Sequence, residues 1–313
     1  LSVTGFNVAL VNDETGAEPD RVALIALLKE VSAVGGPRRR WAAWSATAAQ
    51  VRRCGSALPL WDERHPLTLD GAGEAEAALA QARDLLAGWE AAGIGVVTVL
   101  DDRYPLRLKH IDQVPPVLLV KGTLAPAEPA ASVVGSRQAS ARGRQLAAEI
   151  AAGLAQRGIA VVSGLAAGVD TAAHANTLAA GGRPLGVLGT GITGVYPEAN
   201  RDLHEKVAAA GALVSQFWPD CRPRPRTFAL RNATMAGLSQ ASVIVEAGER
   251  SGSRVHARHA LQHGRPLILT DTVVTNTRWG REMSRQPGVY VAGSAADALQ
   301  VLDEVCGGRR LGA

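Results

Sequence analysis

A chain of 313 residues with 47% apolar side chains has ample material for a buried core, which excludes both a disordered polymer and a small scaffold stapled by disulfides or metal. The formal net charge of +4 selects no partner until its location is known, and the three cysteines, Cys54, Cys221 and Cys306, are far apart with no CxxC pair, which argues against a disulfide framework or a zinc knuckle. No apolar run approaches the ~18 residues of a membrane span and no secretory signal pattern is present, so a cytoplasmic protein without a membrane partner is expected.

Taken in order, residues 1–19 show little periodicity and read as a flexible arm. Asp20 then opens a helical stripe of Val22, Ile25, Leu28 and Val31, broken by Gly35-Gly36-Pro37. That turn and Arg38–Arg40 have two readings: a helix-hairpin-helix turn offering amides and guanidinia to phosphate, or a plain inter-helix turn with a solvated basic face. Residues 41–90 are Ala-rich and carry Trp41, Trp44, Trp61 and Trp89, which read as packing anchors, with stacking on bases as the alternative. The segment 74–93 is strongly helical by propensity. A small helical domain of SAM or helix-hairpin-helix type is therefore expected over 20–92.

From 93 onward the pattern changes. IGVVTVL (94–100) and VLLVK after the Pro115-Pro116 pair read as strands. ASVVGSR, IAVVSGLAAGVD, PLGVLGTG, ALVSQ and SVIVEAGERSGS then each run an apolar β-branched strand into a Gly/Ser loop, with helical pattern between them. This is the signature of an α/β fold, a mostly parallel sheet flanked by helices, over 93–305, leaving 306–313 as a tail. Helices are expected over 139–158, after Asp170 and Asn200 as N-caps, and over 232–240. GVYVA (288–292) supplies a last strand and SAADALQVLDEV a closing helix.

Loops at the carboxyl ends of parallel strands converge on one edge, where backbone amides and helix N-termini favour an anion. The candidates there are Gly135, Ser136 and Arg137; Ser163, Gly164 and Gly168; Gly189 and Gly191; Arg231 and Asn232; and Ser251, Gly252 and Ser253. Arg137 and Arg231 are placed by motif order at helix N-termini. The Pro-broken stretch 217–231 adds Arg222, Arg224 and Arg226 with no acid after Asp220, and a long basic loop in a compact domain is usually functional.

GTGITG (189–194) spells GxGxxG, yet no helix opens at its third glycine and no acid follows at the ribose-binding distance, so a dinucleotide is not expected; nor is there a P-loop. Asp170 and His174, four apart, form either a metal or acid–base pair lacking a third ligand, or a helix cap and a packed polar residue. His256, His259 and His263 read as a solvated or phosphate-facing helix edge. No nucleophile with base and orienter emerges, so binding without a cofactor or metal is favoured over catalysis. The rival class is a Rossmann-like nucleotide-ligand enzyme or sensor, of the nucleotide N-glycoside hydrolase type, with Glu246 as its carboxylate.

The ordered series YPLRLKHIDQVPPVLLVKG, VVGSRQAS, VVSGLAAGVDTAAH, VLGTGITGVYPEAN, FALRNATMAGLS and VIVEAGERSGS, spread over 104–253, resembles the bacterial DNA-processing protein A family, DprA or Smf. The resemblance implies an extended Rossmann-like, mostly parallel sheet flanked by helices that binds single-stranded DNA, forms a homodimer, and delivers the strand to the RecA recombinase during natural transformation. It places Gly135, Ser136, Arg137, Ser163, Gly164, Gly168, Arg231 and Asn232 in the DNA crevice; Phe217, Trp218 and Phe228 border the basic 222–231 segment, either to stack bases or as buried aromatics. The chain departs from the family pattern at Ala233, where a basic residue is usual, at Gln216, where Glu is usual, and through 271–288.

Overall fold

The computed structural model describes residues 17–33, 37–66 and 72–307. Four helices come first: α1 (Ala17–Ala33), α2 (Pro37–Cys54), α3 (Leu58–Arg64) and α4 (Ala72–Ala91). Nine strands and eight helices follow: β1 (Gly95–Thr98), β2 (Val117–Gly122), β3 (Ala130–Val134), α5 (Ala141–Gln156), β4 (Ala160–Ser163), α6 (Val169–Ala179), β5 (Pro184–Val187), α7 (Arg201–Ala210), β6 (Ala212–Ser215), α8 (Pro225–Leu238), β7 (Ala241–Ile244), α9 (Gly252–Gln262), β8 (Leu267–Thr270), α10 (Asp271–Asn276), α11 (Arg278–Met283), β9 (Val289–Ala292) and α12 (Ala295–Gly307). The expected arm, the Gly35-Gly36 turn and the end of the tail fall on residues 1–16, 34–36 and 308–313, outside the described residues; Ala17–Pro19 are already helical.

One nine-stranded sheet, in the order β1-β2-β6-β5-β4-β3-β7-β8-β9, organises the fold. From β6 to β9 every pairing is parallel, while β1 and β2 add an antiparallel margin. Central strands are buried on both faces, as parallel sheets require. In β3, Ala131 and Val133 pack toward α5, whose Leu146, Ile150 and Leu154 share their cluster, while Ala130 and Val134 join the cluster on the other face. The helix α5 forms because that i, i+4 stripe is apolar and Ser140 caps it, its Oγ accepting from the Gly143 amide at 3.0 Å.

The helical region and the sheet share one hydrophobic cluster. In α1, every residue from Val22 to Leu28 is at most 2% exposed, so the helix is apolar all round and enclosed by its neighbours. Trp41 meets Phe217 at 4.9 Å and Trp44 meets Trp218 at 4.8 Å, both edge-on, and Trp89 lies 5.6 Å from Trp218. The tryptophans are packing anchors. Phe217 and Trp218 belong to this junction and do not border a DNA crevice. Arg21 and Asp101 add an ion pair of 2.6 Å with both side chains largely buried.

Three local expectations are corrected and one is refined. Asp20 does not open α1; its Oδ1 accepts from the Ser56 hydroxyl and the Ala57 amide and so ties α1 to the start of α3. Gly168, not Asp170, is the N-cap of α6, at φ +82°, a conformation that glycine adopts without penalty. Asn200 is the N-cap residue of α7 as expected, but its side chain does not bond the first turn: its amide donates to the Leu165 carbonyl at 2.8 Å and the Thr171 hydroxyl at 2.9 Å. The helix expected at 232–240 begins at Pro225: a proline in the first helical turn needs no N–H partner, so it starts the helix instead of breaking it.

Candidate nucleic-acid interface

The chain runs outward from β3 through β4, β5 and β6 on one side, then returns to the far side of β3 as β7 and proceeds to β8 and β9. The order therefore reverses between β3 and β7, and in open α/β sheets the crevice beyond the carboxyl ends of two such strands is where ligands bind. An open crevice of about 600 Å³ lies there. The loop after β3 supplies Gly135, Ser136, Arg137 and Gln138; the loop after β7 and the first turn of α9 supply Arg250 and Ser251–Ser253; α8 crosses beneath with Phe228, Arg231 and Asn232. The two loops are joined by a backbone hydrogen bond of 2.7 Å from the Ser136 amide to the Glu246 carbonyl. Ser251 caps α9, so the partial positive charge of an eleven-residue helix points into the crevice.

Two arginines divide the electrostatic work. Arg137 is exposed, its guanidinium 5.0 Å from the Phe228 ring centroid and 5.8 Å from that of Tyr196. Arg231 is 5% exposed and lies two turns inside α8, not at a helix N-terminus as motif order placed it. Its Nη1 donates to the carbonyls of Gly164, at 2.9 Å, and Val187, and its Nε to Asn232 Oδ1 at 3.3 Å. Burial pushes the Arg231 guanidinium down to about 10; the Asp170 carboxylate opposes that shift and Arg137 adds to it. Arg231 thus stays charged at neutral pH while repelled by a second arginine. Asp170, 5% exposed, accepts from the Gly164 and Ala166 amides at 3.1 and 3.3 Å; burial raises its carboxyl, and Arg231 and those amides pull it back. It is the crevice's carboxylate, set against the guanidinia of Arg137, Arg231 and Arg250.

The structure gathers Gly135, Ser136, Arg137, Arg231, Asn232, Ser251, Gly252 and Ser253 around one space. The other sequence candidates lie elsewhere. Ser163 is fully buried and its hydroxyl donates to the Val133 carbonyl at 2.7 Å, tying β4 to β3. Gly164 lies against the Arg231 guanidinium, and a Cβ there would collide with it. Gly168 packs on the Ser136 and Arg137 carbonyls. Gly189 is covered by the Phe228 ring, and Gly191 by the carbonyls of Trp218 and Pro219. These glycines admit protein, not ligand. Arg222 and Arg224 are exposed beyond the N-terminal end of α8, and Arg226 faces a different cavity.

Gln138 and Arg250 also line the crevice and were not singled out for it from sequence; His256, read as part of a solvated or phosphate-facing helix edge, lines it too. Arg250 was legible as a basic residue inside a strand-end Gly/Ser loop. Of the two alternatives for that edge, His256 contradicts the solvated one: it is 1% exposed, its Nε2 is 3.0 Å from the Ser242 hydroxyl, and burial lowers its imidazole to about 3. His259 and His263 are half-buried and stacked. His174 is fully buried, lowered to about 4 by desolvation. No group of three metal-binding side chains occurs among the described residues. Glu246 accepts from the Ser140 amide at 3.0 Å and the Ser140 hydroxyl at 2.6 Å, which makes it an anchor for the start of α5 outside the crevice lining, not a carboxylate facing a ligand.

Fold and site together define a doubly wound α/β protein with a basic, amide-rich crevice at its topological switch point. Residues 95–303 match the family described as DNA recombination-mediator protein A, two thirds of the chain, and the chain belongs to that family. It is 32% identical over 223 residues to the DNA processing protein DprA of Bacillus subtilis (strain 168), covering 70% of this chain and 75% of the relative. The X-ray structure of DNA processing protein A from Streptococcus pneumoniae superposes with a TM-score of 0.67 at 27% identity, covering 89% of this chain and 97% of that one. DNA processing protein A from Helicobacter pylori, described for its single-stranded DNA binding mode, superposes with a TM-score of 0.60 at 22% identity over 67% of this chain and 96% of that one, a likeness of fold. No described helix is long and apolar enough to cross a membrane.

Proposed function

We propose that this protein binds single-stranded DNA in the β3/β7 crevice and passes the strand to the RecA recombinase, working as a cytoplasmic homodimer that assembles on DNA without catalysing a reaction on it. The observation that carries the reading is the pair Arg137 and Arg231: two guanidinia that repel each other across one crevice, one exposed and one buried, beside the amides of the β3 and β7 loops and the start of α9. An anion relieves that repulsion, and a chain of phosphates supplies anions in series. Single strands fit better than duplex because the crevice is a concave slot between loops, and unstacked bases can fold into it.

Binding is favoured over chemistry by what the polar side chains already do. Ser251 and Ser253 hydroxyls pair with each other at 3.1 Å. The Ser242–His256 pair is sealed, with Ser242 at 0% exposure. Glu246 is occupied with the start of α5. The test is titration of the purified protein with labelled single- and double-stranded oligonucleotides across a salt series. Tighter binding of single strands is expected, with log affinity falling by about 0.7 per log unit of salt for each phosphate contacted. Equal affinity for duplex, or a flat salt response, would remove the reading; release of free base from a nucleotide would favour the hydrolase class instead.

A further inference from the structure

A second cavity, of about 350 Å³, lies where α2 meets the sheet. Trp41 and Trp44 line it from α2, the buried Pro115-Pro116 pair from the connection before β2, Gln216 from the end of β6, and Arg226 from α8. Its volume falls at the small end of ligand pockets, ~300–1,000 Å³, so it suits one small planar molecule, not a polymer. Trp41 is half-buried and held edge-on by Trp44 at 5.0 Å and Phe217 at 4.9 Å, so its ring is fixed before any ligand arrives.

Two polar groups on the cavity wall have hydrogen-bonding capacity that the protein does not use. Gln216 is 7% exposed; its Oε1 accepts from the Thr234 hydroxyl, and its Nε2 makes no hydrogen bond among the described residues. With Oε1 so engaged, the amide group is left as a donor on the cavity wall. Arg226 forms no ion pair and no side-chain hydrogen bond among the described residues, although the exposed Asp112 lines the same cavity. Aromatic and proline walls, a buried amide donor, a carboxylate acceptor and a free guanidinium together match a nucleobase with its phosphate.

We propose that this cavity is a second nucleotide site, which stacks one base against Trp41, accepts its edge on Gln216 and Asp112, and holds the adjoining phosphate at Arg226. Phe228, Arg231 and Asn232 of α8 face the β3/β7 crevice, whereas Arg226 and Leu230 of the same helix face this cavity. At 3.6 residues per turn these are opposite sides of one helix. The exposed Arg222 and Arg224 stand at its N-terminal end. The occupant is either a base of the strand leaving the crevice, an arm that rests on the proposed function, or a free nucleotide.

Arg226→Ala and Gln216→Glu, the second conserving volume while adding charge, are titrated with oligonucleotides of about 4 and about 16 nucleotides and with deoxyadenosine monophosphate. If the strand's own base is held, both variants weaken the long oligonucleotide by about tenfold, the effect of one stacked base, and leave the short one unchanged; a photoreactive base in the long strand then crosslinks to Trp41. If a free nucleotide is held, both variants lose the monophosphate and keep both oligonucleotides. The proposal is overturned if the variants match the unmodified protein with all three probes, or if they weaken short and long strands equally without any monophosphate binding. Failure of the unmodified protein to bind either oligonucleotide removes the proposed function alone, and the monophosphate titration then decides the cavity, absence of binding overturning it.

Discussion

The carboxyl edge of the sheet carries two sets of strand-end Gly/Ser loops that look alike in sequence and serve opposite purposes. After β3 and β7 the loops are joined at their base by the Ser136–Glu246 hydrogen bond, where Gly135 packs on Val169 and Glu246, and beyond it they leave a crevice; a Cβ at Gly252 would meet nothing within 4 Å. After β4 and β5 the same residue types are filled by the protein itself: Gly164 by Arg231, Gly189 by Phe228, Gly191 by the 218–219 backbone. Small residues permit close approach, and topology decides what approaches. Where the strand order reverses, neighbouring loops diverge and leave room; elsewhere α8 and its preceding segment close over them.

Arg231→Ala breaks this comparison most severely. The guanidinium is the strut that ties α8 to the ends of β4 and β5 beneath the crevice, bonded to the Gly164 and Val187 carbonyls and facing buried Asp170. Its removal leaves a buried carboxylate without its countercharge, at a cost of roughly 3–5 kcal/mol, so the expected result is a Tm lower by on the order of 10 °C. The sequence placed this arginine at a helix N-terminus, where its loss would leave stability nearly unchanged. Adding Asp170→Asn to the variant should recover part of the loss; if the single variant melts with the unmodified protein, the strut is not there.

Gly191→Ala against Gly252→Ala contrasts the two loop sets directly. The first drives a methyl group into the Trp218 and Pro219 carbonyls and should cost roughly 1–3 kcal/mol; the second meets open space and should stay within about 0.5 kcal/mol. Equal melting temperatures for the pair would mean that both loops are open. Acid reads the buried histidines in the same range. The imidazoles of His174 and His256 are lowered by burial to about 4 and about 3, so between there and their unfolded value near 6.5 the unfolded chain binds protons that the folded chain refuses. Stability is therefore fully present above about pH 6.5 and declines as pH falls, by about 2 kcal/mol per imidazole at pH 5. A flat stability profile from pH 7 to pH 5 would contradict the burial of these rings.

Much of this architecture was legible in the chain. The seven β-branched segments from β1 to β7 and the last strand follow from apolar runs ended by Gly/Ser, and the ordered motifs over 104–253 carried the family. Within the site, Gly135–Arg137 and Ser251–Ser253 were found because a strand-end loop beside a helix start is a local signal. Arg231 was misplaced because the prolines of 219–225 read as breakers, and a proline that starts a helix has the same letter as one that ends it. The packing roles of Gly164 and Gly189 depend on α8 and that of Gly191 on the 218–219 backbone before it, all distant in sequence, and no local pattern encodes that approach. His256 read as solvated because its partner Ser242 lies on another element.

The smallest expected change in stability belongs to Arg137→Ala, and it is the most informative for function. The side chain is exposed; its contacts with Phe228 and Tyr196 are worth about 0.5–1 kcal/mol at such a site. Against that, its removal relieves the repulsion that Arg137 exerts on Arg231. The two effects oppose each other, so the Tm should stay within a degree or two of the unmodified protein. Binding of single strands should weaken nonetheless, and the log–log salt dependence should become shallower by about 0.7, the share of one lost phosphate contact. Arg137→Lys keeps the charge and should restore most of the salt slope while losing the flat stacking on Phe228. Melting curves and titrations on the same preparations separate the alternatives: a lower Tm with unchanged binding would make Arg137 a packing residue, and the exposed side of the crevice would then have no phosphate contact at this position.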